Sequence, residues 1–151
     1  MQRKWTILAA AMASVTVLAG GLSFADDDES PLHKIMEKVQ ANNVIITKGT
    51  RNPAAFKKSA KEVVKASEEL VKLAKEAKPI KDAAKKAKEV PNPEATWEAY
   101  CDDLAKTADA LAKVAAKAGA TQPQAKEAFA GVKKACADCH KPFRVEDEGF
   151  K

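Results

Sequence analysis

Close to the C-terminus, two cysteines and a histidine occur at a fixed spacing in the segment Cys136-Ala137-Asp138-Cys139-His140. This C-x-x-C-H pattern is typical of c-type haem attachment, in which two thiols add to the haem vinyl groups and the adjacent imidazole reaches the iron. A helix supplies this geometry, because residues i, i+3 and i+4 share one face at about 100° per residue. The pattern predicts one covalently attached haem c, with Cys136 and Cys139 as tethers and His140 as an iron ligand.

A C-x-x-C pair also occurs in zinc sites and in the redox dithiols of thioredoxin-like folds. A four-ligand zinc site would need two further Cys or His residues, and only Cys101 and His33 remain. A thioredoxin-like motif needs surrounding strands, and no segment shows the alternating apolar pattern of a strand. Haem attachment is therefore the favoured interpretation.

The N-terminus indicates export. A short basic start precedes an apolar run over residues 5–21, and Ser23-Phe24-Ala25 has small residues where a signal peptidase would cut. We expect residues 1–25 to be a cleaved signal peptide and residues 26–151 to form a periplasmic domain with no stable membrane insertion. The alternative is an uncleaved N-terminal anchor, because the apolar run is nearly long enough to span a bilayer.

The charge of the mature chain is nearly balanced. Without Arg3 and Lys4 it has 24 basic and 21 acidic residues, a net charge of about +3. The Ala-Lys-rich stretch over residues 81–88 is superficially similar to a nucleic-acid-binding tail, but acidic residues are interleaved with the lysines, as on a solvated helix face. This pattern and the export signal argue against a nucleic-acid partner.

Four segments show the 3.6-residue apolar period of amphipathic helices, and no segment predicts a strand. The expected fold is therefore an all-α, antiparallel four-helix bundle. Residues 79–90 could form another helical piece, but they offer little to bury, so we expect a loosely packed connector there. The acidic tail from Glu146 should fray. The helices are predicted to run from Pro31 to about Lys48, from Pro53 to about Lys78, from Pro93 to about Gly119, and from Thr121 through the haem motif.

Cys101 is the third cysteine and is not needed by the haem motif. In an oxidising compartment an exposed thiol could join two chains. Cys101 shares its helical stripe with Trp97, Leu104 and Ala108, and this position favours a buried, reduced thiol in the core.

The first predicted helix carries two side chains that can bind iron. With Leu32 at 0°, Met36 falls at about 40° on the apolar stripe, and His33 falls at about 100° on its flank. A methionine on such a stripe most often fills the core. With a haem expected nearby, we predict Met36 as the second iron ligand, while His33 and an open iron site remain as alternatives.

Arg144 follows His140 by one turn. At this position its guanidinium can approach a haem propionate, although a cation in the last turn of a helix also favours the helix dipole. We predict Arg144 as a cofactor-binding residue.

Taken together, these residues resemble the class II cytochromes c, the cytochrome c-prime family, in which a signal peptide precedes a four-helix bundle with a C-terminal C-x-x-C-H helix. The resemblance covers residues 31–145. Its most specific parts are residues 131–140, the Phe143-Arg144 pair, and residues 93–97 at the start of the third helix.

The resemblance implies a periplasmic mono-haem electron carrier that works with redox partner proteins. Low-spin members place a Met on the distal side of the iron, and the corresponding residue here is Met36. Gas-binding members place an apolar residue there, so a five-coordinate binder of nitric oxide or carbon monoxide is the alternative. Family members often carry an Arg one turn earlier, where this chain has Leu32, and His33 or Lys34 are the candidates to replace it.

Homodimers are common in the resembled family, and the sequence leaves the oligomeric state open. No nucleophile with an adjacent base is evident, so we do not expect an enzyme. His/Met ligation generally raises the reduction potential of haem iron.

Overall fold

The computed structural model describes residues 30–87 and 89–144. The predicted signal peptide, residues 1–25, and the acidic tail from Glu146 lie outside these described residues. Within them the chain is helical without any strand, and the all-α bundle is confirmed. None of the described helices is long and apolar enough to cross a membrane. The elements are α1 Pro31–Gly49, α2 Pro53–Ala77, α3 Asp82–Lys86, α4 Pro93–Ala116 and α5 Gln122–Phe143.

Local sequence determines where the long helices begin. The Ser30 side chain accepts a hydrogen bond from the His33 backbone N–H (3.2 Å), and the Asn52 side chain accepts one from the Ala55 backbone N–H (2.8 Å). Each long helix also has proline in its first turn, where the missing N–H costs no helical hydrogen bond. The four predicted starts are confirmed, and the predicted ends differ by only a few residues.

Contacts between helix ends show the antiparallel arrangement. Gln122, at the start of α5, donates a hydrogen bond to the Thr50 carbonyl that follows α1 (2.7 Å). The Trp97 indole, near the start of α4, donates one to the Ala77 carbonyl at the end of α2 (3.3 Å). α2 packs on α1 and α4, and α4 packs on α5.

The core divides into two clusters along the bundle. The first, here called the packed end, lies where α1 and α4 end and α2 and α5 begin; its buried residues include Ile46, Phe56, Val63, Leu111 and Phe129. The second, here called the cavity end, lies at the opposite ends of these helices; its buried residues include Ile35, Leu73, Trp97, Cys101 and Phe143. The candidate site lies at the cavity end.

The segment between α2 and α4 differs from the prediction. We expected a loosely packed connector, but the chain forms the short helix α3, in which Ala83 is 7% exposed and Ala84 is 1% exposed. Both alanines belong to the buried cluster of the cavity end, and α3 packs against α4 and α5. The prediction was wrong because small side chains allow α3 to approach the bundle closely, although they give the sequence little apolar signal.

Candidate haem site

A cavity of about 930 Å³ separates α1 from α5 at the cavity end. In the described part of the chain these two helices make little contact, because α1 packs on α2 whereas α5 packs on α4. The walls are mostly apolar, with Leu73, Trp97 and Leu104 among their residues. Pockets that enclose small molecules have volumes of about 300–1,000 Å³, so this cavity is large enough for a bulky organic cofactor.

The three residues of the C-x-x-C-H motif lie together on the α5 wall of this cavity. Cys136, Cys139 and His140 all line it, as expected for positions i, i+3 and i+4 of a helix. The two thiols are half-buried, but His140 is exposed. The three motif side chains therefore face a cavity instead of packed neighbours.

An aromatic cluster fixes the last turn of α5. Phe143 packs edge-on against Trp97 and Tyr100, with ring centroids 5.5 Å and 6.0 Å apart. Phe143 is only 7% exposed. Because Phe143 lies one turn beyond Cys139, these contacts hold the turn that carries the candidate iron ligand His140.

Burial keeps the two motif thiols protonated. Loss of solvent raises the pKa of Cys139 to about 12, with smaller contributions from the neighbouring Cys101 and Cys136. Burial likewise raises the pKa of Cys136. Thiols in such a setting are poor nucleophiles, so the structure does not favour a reactive redox dithiol here.

The donor geometry also gives no support for a zinc site. Within residues 30–87 and 89–144 no cluster of three or more His, Cys, Asp or Glu residues could hold a metal ion. A structural zinc site needs four such ligands in one place. The two thiols and one imidazole on α5 instead match the donor set of a covalently attached haem.

The α1 wall carries the two other candidate ligands. Met36 lines the cavity, is half-buried and packs against the core cluster of the cavity end. His33 also lines the cavity, but its side chain is 57% exposed and its Nε2 lies 3.8 Å from a Glu37 carboxylate oxygen. The structure therefore agrees with the predicted angular positions, with Met36 on the stripe and His33 on its flank.

Positive charge dominates the rim of the cavity. Arg144 lines it, and so do three lysines that were not predicted as site residues, Lys85 and Lys86 on α3 and Lys133 on α5. Asp82 is the carboxylate among the described lining residues. A mostly apolar cavity with a cationic rim suits a large apolar ligand that carries carboxylates, as haem does.

Cys101 lies in the wall between the cavity and the core. It is 6% exposed and forms no disulfide, so its predicted burial is confirmed. Loss of solvent raises the pKa of its thiol from 9.0 to about 11. Cys101 is therefore a third protonated thiol beside the motif.

Most of the chain matches one known protein family. Residues 29–144 match the model of the family described as Cytochrome C'. No curated protein and no solved structure matches the chain. The match covers every described helix, including the C-x-x-C-H motif, and the family implies a haem cofactor. This chain belongs to the cytochrome c-prime family.

Proposed function

We propose that this chain is a periplasmic mono-haem c-type cytochrome that transfers single electrons between redox partner proteins. Cys136 and Cys139 would tether the haem, and His140 and Met36 would bind its iron. The observation that carries this proposal is that one cavity has the C-x-x-C-H residues on its α5 wall and Met36 on its α1 wall.

Met36 is favoured over His33 by burial and by its neighbours. A thioether is uncharged and weakly polar, so its half-buried position on the apolar stripe costs little. His33 is largely exposed on the flank of the helix, and its Nε2 lies 3.8 Å from a Glu37 carboxylate oxygen. Both side chains line the cavity, and the position of Met36 on the apolar stripe supports it as the proposed ligand from α1.

Haem iron supplies the redox chemistry by accepting and releasing one electron. The chain contributes an apolar enclosure, in which Leu73, Trp97 and Leu104 limit access of water. Met36 and His140 would set a comparatively high reduction potential. Arg144, exposed at the rim, would pair with a haem carboxylate.

A gas-binding function is the second candidate, and the family description fits it as well. Its structural support is the apolar character of the α1 wall, where Leu32 and Val39 flank Met36 along the cavity. If the Met36 sulfur does not bind iron, this wall leaves an apolar distal side suited to nitric oxide or carbon monoxide.

Export belongs to the same proposal. Cleavage of residues 1–25 would release the domain into the periplasm, where thioether attachment to a C-x-x-C-H motif is completed. Haem staining of the mature protein on a denaturing gel tests covalent attachment, and a Cys136→Ala, Cys139→Ala double variant should lose the stain.

The decisive experiment compares absorption spectra of the parent protein, Met36→Ala and the matched control His33→Ala. We expect a low-spin spectrum with weak carbon monoxide binding in the parent and in His33→Ala. Met36→Ala should become high-spin or bind water, lower the reduction potential and bind carbon monoxide readily, because the strong axial sulfur is lost.

Two outcomes would contradict this assignment. A parent protein that is already high-spin and binds carbon monoxide readily would favour the gas-binding function. A spectrum that changes in His33→Ala but not in Met36→Ala would favour ligation by two histidines.

A further inference from the structure

The four cations at the cavity rim differ in what they contact. Lys85 lies 3.8 Å from the Asp82 carboxylate, and the Lys133 ammonium lies over the Phe129 ring, 4.6 Å from its centroid. Lys86 and Arg144 form no ion pair with any residue of the described ranges. Two rim cations are thus available to an anionic ligand, one on α3 and one at the end of α5.

Lys86 lines two neighbouring pockets. It lines the main cavity and also a shallow outer groove, and Tyr100 is the other residue shared by both. The acidic residues of the groove are Glu89 and Asp138. Asp138 is already paired with Lys134 and, at 3.0 Å, with Lys141. Among the described residues, neither Asp138 nor Glu89 forms an ion pair with Lys86, so its ammonium is not held in the groove.

Burial of two neighbouring alanines also fixes the position of Lys86. Ala83 and Ala84 anchor α3 against the bundle, so Lys86 extends from an ordered helix. A lysine can lay its aliphatic stem along an apolar wall while its ammonium reaches a polar partner. This is the arrangement expected of a residue that holds a carboxylate at the edge of an apolar site.

We propose that Lys86 is a haem-binding residue whose ammonium pairs with one of the two haem carboxylates, while Arg144 serves the other. This inference rests on the proposed function, because it requires a haem in the cavity. It makes α3 part of the cofactor site.

Pairing with Lys86 has a measurable electrostatic consequence. An unpaired carboxylate near the iron stabilises the oxidised, more positive state, and a lysine beside that carboxylate offsets this effect. Loss of the Lys86 charge should therefore lower the reduction potential. Because the rim is open to solvent, added salt should reduce the difference.

The test compares Lys86→Gln with Lys85→Gln in the haem-loaded protein. The two lysines are adjacent in α3, so either change affects helix propensity equally, but Lys85 lies near Asp82 and is not assigned to the haem. We expect Lys86→Gln to shift the reduction potential downward clearly more than Lys85→Gln does, with the gap narrowing at high salt. Lys86→Arg should keep the parent potential.

A second measurement follows the contact itself. If Lys86 holds α3 to the haem, amide hydrogen exchange in α3 should be faster in Lys86→Gln than in Lys85→Gln, while exchange in α2 and α4 stays unchanged. Equal potentials and equal exchange in the two variants would overturn the inference. In that case a parent protein with a positive haem stain leaves the proposed function standing, whereas a parent without bound haem overturns both.

Discussion

The two ends of the bundle use the same four long helices but fill the space between them differently. At the packed end, Val63 and Leu111 are fully buried and Phe129 is 2% exposed. At the cavity end, α1 and α5 are separated, and half-buried Met36 and Cys139 line the intervening cavity. The difference teaches that the same four helices form a closely packed core at one end and leave space for a cofactor at the other.

Truncation of the packed end should have the largest effect on stability. Phe129→Ala removes a buried ring from the main cluster and also the surface beneath the Lys133 ammonium. Such changes typically cost about 3–5 kcal/mol because the transfer free energy is lost and a void remains. Urea denaturation should show this loss, while the haem absorption spectrum stays that of the parent.

Met36→Ala, at the cavity end, should have the opposite pattern of effects: a smaller loss of stability and a changed haem spectrum. Its side chain is only half-buried, so its direct packing contribution should be smaller than that of Phe129, but the haem spectrum should change. If Phe129→Ala changed the spectrum as strongly as Met36→Ala, the proposed separation between the two ends would be wrong.

α1 and α2 are in close contact at Gly49. Gly49→Ala should therefore lower the stability of the protein, although by less than Phe129→Ala. A Cβ added there would lie 2.5 Å from Cγ2 of Val63, whose side chain is fully buried and stiff. Gly49→Ala should therefore destabilise the protein by about 1–2 kcal/mol, since overpacking outweighs the gain in helix propensity. Thermal or urea unfolding measures the change.

Gly131 provides the matched control for the same substitution. It lies within α5, and an added Cβ would meet only the Thr107 side chain at 3.7 Å, an ordinary contact. Gly131→Ala should thus stabilise the protein by about 0.5–1 kcal/mol through helix propensity alone. If Gly49→Ala stabilised the protein as Gly131→Ala should, α1 and α2 would not approach as closely as the packed end requires.

The features of this chain that its sequence predicts are local ones. Ser30-Pro31 and Asn52-Pro53 predict helix starts through capping and proline geometry, and both starts are confirmed. The spacing of the C-x-x-C-H motif, and the angle of Met36 relative to His33, also predict which side chains reach the same cavity. These features depend on the helical repeat and on side-chain chemistry.

The features that the sequence did not predict depend on tertiary contacts. α3 has too few apolar residues to indicate a buried helix, and its alanines are buried only because α4 and α5 present a matching surface. Lys86 becomes part of the rim as a result. The spacing of Ala83, Ala84 and Ala87 was the available signal, but alanine is common on exposed helices and does not identify a buried face.

A comparably small effect, seen only at alkaline pH, concerns Cys101, which lies in the cavity wall and yet is buried like a residue of the packed end. Burial raises the pKa of its thiol from 9.0 to about 11. Between these values the unfolded chain has lost the thiol proton while the folded chain retains it, so the free energy of unfolding falls as pH rises. This contribution to stability is complete below pH 9 and should decrease by about 1 kcal/mol near pH 10.

Cys101→Ala should remove this contribution, so the free energy of unfolding of the variant should fall less steeply at alkaline pH. The comparison belongs in the haem-loaded protein, because thioether formation would remove the Cys136 and Cys139 thiols from the titration. Parallel stability profiles for parent and variant above pH 9 would mean that water reaches Cys101, and that the cavity end is wetter than its apolar walls indicate.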